Sequence, residues 1–105
     1  MTKKIDFTRL LSEEDEMRVV IETDKGEVKR FQVIQISQID EAQHQIVRYD
    51  CTHGKPHKDR LYTRPTKKEN MPELPLKTLY ELAKDDIAQN YKTYKQQYIR
   101  NILKR

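Results

Sequence analysis

The residues best equipped for chemistry lie in one stretch, Val47 to Tyr62. It holds His53 and His57, two of the three histidines, and Cys51, the only cysteine, among Arg48, Tyr49, Asp50, Asp59, Arg60 and Tyr62. A histidine titrates near neutral pH and can both take and give a proton. Paired imidazoles beside an arginine have what metal-free phosphodiester cleavage needs. One would deprotonate a ribose 2′-hydroxyl and the other protonate the leaving oxygen, while Arg48 or Arg60 stabilised the charge that develops on phosphorus. Asp50 or Asp59 would orient an imidazole, and Tyr49 or Tyr62 would stack on a base.

Two other readings use the same residues. Cys51, His53 and His57 offer sulfur and nitrogen donors suited to zinc. Their spacing has little geometric meaning, however, because Gly54 and Pro56 between the histidines oppose a helical turn. The plainer reading is a tight hairpin loop. Gly54 and Pro56 would shape it, Arg48, Asp50, Asp59 and Arg60 would pair across strands, and Cys51 would fill a small buried space. No cofactor is expected.

The string Val47-Arg48-Tyr49-Asp50, then His53-Gly54, then His57 and Asp59, resembles the signature of a group of small uncharacterised prokaryotic proteins. The similarity spans roughly Val19 to Tyr62. It implies that Arg48, Asp50, His53, His57 and Asp59 form a unit, and implies no particular activity. Cys51-Thr52 and Lys55-Pro56 fill its variable slots, so Cys51 is assigned no essential role.

The elements that position this stretch read as a single domain over residues 1–105. Residues 1–15 are a polar arm anchored by Phe7, Leu10 and Leu11. Residues 16–63 read as a β-meander. Met17, Val19 and Ile21 alternate with Arg18, Val20 and Glu22 in a first strand, Glu16 to Thr23, dense in β-branched residues. Asp24-Lys25-Gly26 supplies a turn into a second, Glu27 to Gln38. There Phe31 and Val33 share one parity and Ile34 and Ile36 the other, which predicts a bulge near Val33–Ile34 or a strand covered on both faces. Asp40 to Gln43 turns the chain into a third strand, Gln45 to Asp50, and a fourth runs Lys58 to Thr63. Short connections make the sheet antiparallel. Residues 64–75 hold Pro65, Pro72 and Pro75 and read as a linker.

Residues 76–103 carry Leu76, Leu79, Tyr80, Ala83, Ile87, Tyr91, Tyr94, Tyr98 and Ile102 at recurring spacings of three and four, one face of an α-helix. Such a helix is about 40 Å long, whereas a strand of six or seven residues spans about 20 Å. The excess predicts either a break near Asn90 or a homodimer through Tyr91, Tyr94 and Tyr98. The expected fold is therefore α+β, a four-stranded antiparallel β-meander packed against a long C-terminal α-helix.

Charge is unevenly spread. Residues 1–50 carry 8 basic and 11 acidic side chains, net −3, and residues 51–105 carry 13 and 6, net +7. Lys77, Lys84, Lys92 and Lys95 fall on one flank of the helix by the roughly 100° step per residue. A basic half with a lysine stripe suits RNA or an acidic protein as partner. A solvated surface is the bland alternative. One cysteine excludes an internal disulfide, and no apolar run nears the roughly 20 residues of a membrane span. These features predict a soluble, cytoplasmic binding module for RNA or an acidic protein, working through its basic C-terminal half with Arg60 and Tyr62. The alternative is a metal-independent ribonuclease of the small prokaryotic toxin type, using His53 and His57.

Overall fold

The computed structural model describes residues 1–51 and 55–104. It is an α+β fold: a six-stranded antiparallel sheet and a single C-terminal helix. The strands are β1 (Thr2–Leu10), β2 (Asp15–Asp24), β3 (Glu27–Ile39), β4 (Ala42–Asp50), β5 (His57–Arg60) and β6 (Lys67–Asn70), paired strictly in chain order. The helix α1 (Leu76–Tyr98) continues into a π-helical turn, Ile99–Leu103. Among the described residues no helix is long and apolar enough to cross a membrane.

The sheet has two strands more than the four expected. The first extra strand comes from the segment read as an arm, where β1 pairs along its whole length with β2, from Thr2 opposite Asp24 to Leu10 opposite Glu16. The second comes from the proline-rich connection, where Lys67–Asn70 pairs with His57–Arg60. Both lie at the edges and every residue of both is exposed. A strand held by backbone bonds at an open edge needs no run of apolar side chains, so the composition of these segments concealed them. The fourth expected strand is correspondingly shorter. It stops at Arg60, and Leu61 to Pro65 turn the chain toward β6.

Turns set the meander. Lys25 and Gly26 both have positive φ, as do Asp40 and Glu41, so each hairpin closes through two left-handed residues. That geometry matches the twist of the flanking strands. One irregularity falls just past Ile34, with its extra residue on the partner strand, and β3 is covered on both faces there. Pairing jumps from Gln35 opposite Val47 to Ile36 opposite Gln45, which leaves Ile46 as the extra residue on β4. Ile46 and Val47 are thereby both fully buried. A second shift, at Glu22/Thr23, leaves Lys29 over on β3. Ile34 and Ile36 are buried on the side away from the helix. Their cross-strand neighbours are Arg18, Arg48, Glu16 and Gln45, whose aliphatic stems can shield them.

The helix lays Leu79, Tyr80, Ala83 and Ile87 over Met17, Val19, Phe31, Val33 and Val47. It neither breaks at Asn90 nor overshoots the sheet. Its 23 residues span about 35 Å, and the 13 residues of β3 span about 43 Å. The excess from which a dimer through the tyrosines was expected is therefore absent. Each tyrosine is engaged within the chain. Tyr91 donates its hydroxyl to the Leu11 carbonyl at 3.1 Å. Tyr94 stacks on Tyr62 with ring centroids 4.8 Å apart. The Tyr98 hydroxyl lies 3.0 Å from His44 Nδ1. A buried polar chain locks the same region: Ser37 donates to Asp15 at 2.5 Å, and Gln35 donates to the Tyr91 carbonyl at 2.9 Å.

Candidate functional site

Arg48 and Asp50 have the same parity on β4 and project from the sheet face that the helix leaves open. Strand β5 returns beside them with Asp59 opposite Arg48 and His57 opposite Asp50. Arg48 donates through Nε and Nη2 to Asp59 Oδ2, at 3.1 and 2.8 Å. His57 Nε2 lies 3.6 Å from the same oxygen, and Nδ1 lies 3.4 Å from the Lys55 carbonyl. Asp50 accepts from Gln32 Nε2 at 3.2 Å. These four residues therefore meet on one face, with the Asp59 carboxylate buried at their centre. Both ring nitrogens of His57 point at groups of the chain itself, an arrangement that suits holding a strand end.

His53, the other half of the expected acid–base pair, lies outside the described residues. Cys51 packs into the core, where its sulfur accepts the Phe31 N–H at 3.1 Å. Burial pushes its thiol pKa up. Cys51 and His57 thus lie on opposite sides of the sheet, so two of the three candidate zinc ligands do not converge. Arg60 pairs with Glu69 across β5 and β6. Tyr62 is buried and stacked on Tyr94, so its ring is not presented to a base.

The four helix lysines do share a flank. Lys95 lies 3.6 Å from Asp15, and its neighbour Tyr91 bonds Leu11. Leu11 lies in the β1–β2 connection and Asp15 is the first residue of β2, so this flank is turned toward the β1 edge. Lys84 is 4.3 Å above the Tyr80 ring and 3.5 Å from Glu81. Lys92 is exposed, 5.9 Å from the Tyr91 ring, and Lys77 is exposed at the helix start.

Sequence reasoning missed what faces this flank. Lys3, Ile5, Phe7 and Arg9 pair with Thr23, Ile21, Val19 and Met17, so they share the helix side of the sheet. The helix packs on β2, β3 and β4 and does not reach β1. Ile5 is left 45% exposed and Phe7 39% exposed. The result is a trough whose floor is the β1 row Lys3, Ile5, Phe7 and Arg9, with the two basic residues at its ends, and whose wall is the helix flank that carries Lys77, Lys84 and Lys92. Its signal was the period-two alternation Lys3, Ile5, Phe7, Arg9, which the polar composition of the segment obscured.

A second unforeseen cluster sits on the other flank of the helix. Asp86 accepts hydrogen bonds from Tyr49 at 2.6 Å, Tyr94 at 2.7 Å and Asn90 at 2.8 Å, and Lys58 Nζ approaches to 3.2 Å. Burial raises the Asp86 pKa, but the two tyrosine hydroxyls and the Lys58 charge outweigh it and hold the carboxyl below its ordinary value. Burial, reinforced by Asp86, pushes both tyrosine hydroxyls well above theirs. At neutral pH the cluster is therefore a carboxylate satisfied by neutral phenols and an ammonium. That is a fastening between helix and sheet, with no proton poised for transfer. Among the described residues no group of His, Cys, Asp and Glu is placed to hold a metal ion.

The model of a family described as a domain of unknown function (DUF7718) matches residues 1–103. No curated protein and no solved structure matches the chain.

Proposed function

We propose that this chain, which belongs to that family, is a binding module for single-stranded RNA that holds the strand in the trough between the lysine flank of α1 and strand β1. The observation that carries this reading is the uncovered β1. Because the helix stops short of it, Phe7 and Ile5 stay part-open to solvent between Lys3 and Arg9 of the same strand, on the side toward which the flank with Lys84 and Lys92 is turned. Cations flanking an exposed aromatic ring suit a polyanion whose bases can stack, and such contacts tolerate any sequence. Duplex RNA would present neither accessible bases nor a groove suited to this floor.

The open sheet face is less suited. Its Arg48 is bonded to Asp59 and it carries no Phe, Tyr or Trp among β2 to β5. The ribonuclease reading draws no support from His57, both of whose ring nitrogens face the chain.

Anisotropy of a labelled single-stranded RNA tests the proposal. The double variant Lys84→Glu/Lys92→Glu should bind at least about tenfold more weakly than wild type at moderate salt. The double variant Lys67→Glu/Lys68→Glu, on the far edge of the sheet, should change affinity far less. Equal losses from both would mean a diffuse charge effect. Loss only from the second would move the site to β6. Retained affinity for an acidic peptide, with none for RNA, would replace RNA by a protein partner.

A further inference from the structure

Strand β1 is the first strand of the sheet, nine residues long and exposed on both faces, and its outer edge pairs with no described strand. Such an edge presents a row of backbone donors and acceptors to another strand. It also carries a side-chain pattern that selects a partner. We propose that β1 pairs antiparallel with β1 of a second copy of this chain, with Ile5 on the two-fold axis, joining the two sheets into one.

The register follows from faces and charge. Two copies of one strand pair antiparallel around an axis perpendicular to the sheet, and every opposed pair must share a face. Allowed registers therefore move in steps of two residues. With Ile5 opposite Ile5 of the partner subunit, Lys4 faces Asp6 of the partner subunit and Asp6 faces Lys4 of the partner subunit. Thr2 then faces Thr8 of the partner subunit, and Lys3 lies beside Phe7 of the partner subunit. Sliding one step one way sets Asp6 against Asp6 of the partner subunit and Lys3 against Arg9 of the partner subunit. One step the other way sets Lys4 against Lys4 of the partner subunit. Both neighbouring registers oppose like charges, which disfavours them. Only the Ile5-centred register pairs opposite charges twice.

The side chains that would make these pairs are available. Lys4 and Asp6 are exposed, and among the described residues neither has an ion-pair partner. The strand's own helix does not reach β1, so nothing on that face obstructs a second sheet. The axis keeps both helices on one side of the joined sheet. Ile5 and Phe7 of each copy then lie in the space between the two helices.

Sedimentation velocity over a concentration series, without RNA, tests the proposal. Wild type should show a reversible monomer–dimer equilibrium. Lys4→Glu alone and Asp6→Lys alone should each weaken it by about tenfold or more, because both symmetric attractive pairs become repulsive. The double variant Lys4→Glu/Asp6→Lys recreates both pairs in reverse and should restore association to within about threefold of wild type. Ile5→Cys, at the axis, should form a disulfide-linked dimer on mild oxidation. A wild type that stays monomeric at millimolar concentration would overturn the proposal. So would single variants that dimerise like wild type, or a folded double variant that stays monomeric.

Discussion

Tyr49 donates its hydroxyl hydrogen to Asp86 Oδ2 across 2.6 Å, tying the end of β4 to the middle of α1. Tyr94 and Asn90 donate to the same carboxylate and Lys58 lies beside it. Tyr49→Phe removes one donor and keeps the ring, so it should cost about 1–2 kcal/mol in urea unfolding. A cost near zero would mean that Asp86 is satisfied without it.

The same carboxylate makes stability depend on pH. Its folded pKa is held below its unfolded value, so its contribution is fully present above the unfolded value of about 4 and is lost as pH falls through the folded pKa. Thermal melts should fall as pH drops below about 4. Asp86→Asn should start lower at pH 7 and show a shallower fall. An unchanged acid slope in Asp86→Asn would contradict the fastening role.

On the open face, Asp59 is buried and takes both of its close hydrogen bonds from Arg48. Arg48→Ala should cost about 1–3 kcal/mol by stranding that carboxylate. His57→Ala leaves the Arg48–Asp59 pair intact and should cost under about 1 kcal/mol. Chemical denaturation of the two variants separates the roles, and the reverse order would make His57 the principal partner.

Ile87, on the core face of the helix, is fully buried, whereas Leu82 is 45% exposed. Ile87→Ala should lose about 2–5 kcal/mol, and Leu82→Ala should stay within about 0.5 kcal/mol. Comparable losses would mean that α1 docks by a different face.

The core strands were readable because burial imposes a period. Met17, Val19 and Ile21 alternate, and Leu79, Ala83 and Ile87 repeat every four residues, since one side of each element must leave water. The turns at Lys25-Gly26 and Asp40-Glu41 were readable from turn-forming residues. Edge strands carry no such constraint, so β1 and β6 looked like an arm and a linker. Helix length was misjudged against the sheet because it was set against a strand of six or seven residues, whereas the helix lies along β3, whose 13 residues are about twice as long. Within the site, Arg48 and Asp50 shared a face by parity, and β5 brought Asp59 and His57 beside them. The link from Asp86 to Tyr49 spans 37 residues, and no local pattern announces it. The trough depends on how far the helix reaches across the sheet, which is a property of packing alone.

Phe7 is the ring on the trough floor, only part-covered by the fold. Phe7→Ala should weaken RNA binding by about 1–3 kcal/mol, the range for losing one base-stacking ring, and lower stability by less than Ile87→Ala does, since the ring is only part-covered. Anisotropy and calorimetry on the same sample check both halves. A large loss of stability with unchanged affinity would make Phe7 a core residue.

The salt dependence of RNA affinity tests the trough most directly. Each phosphate neutralised on a single strand contributes about −0.7 to the slope of log affinity against log salt. With Lys3, Arg9, Lys84 and Lys92 as contacts, wild type should give a slope of about −2 to −3. Lys84→Glu/Lys92→Glu should flatten it by at least about 1. Binding that is absent at low salt, or whose slope is the same in wild type and in the double variant, would contradict the account.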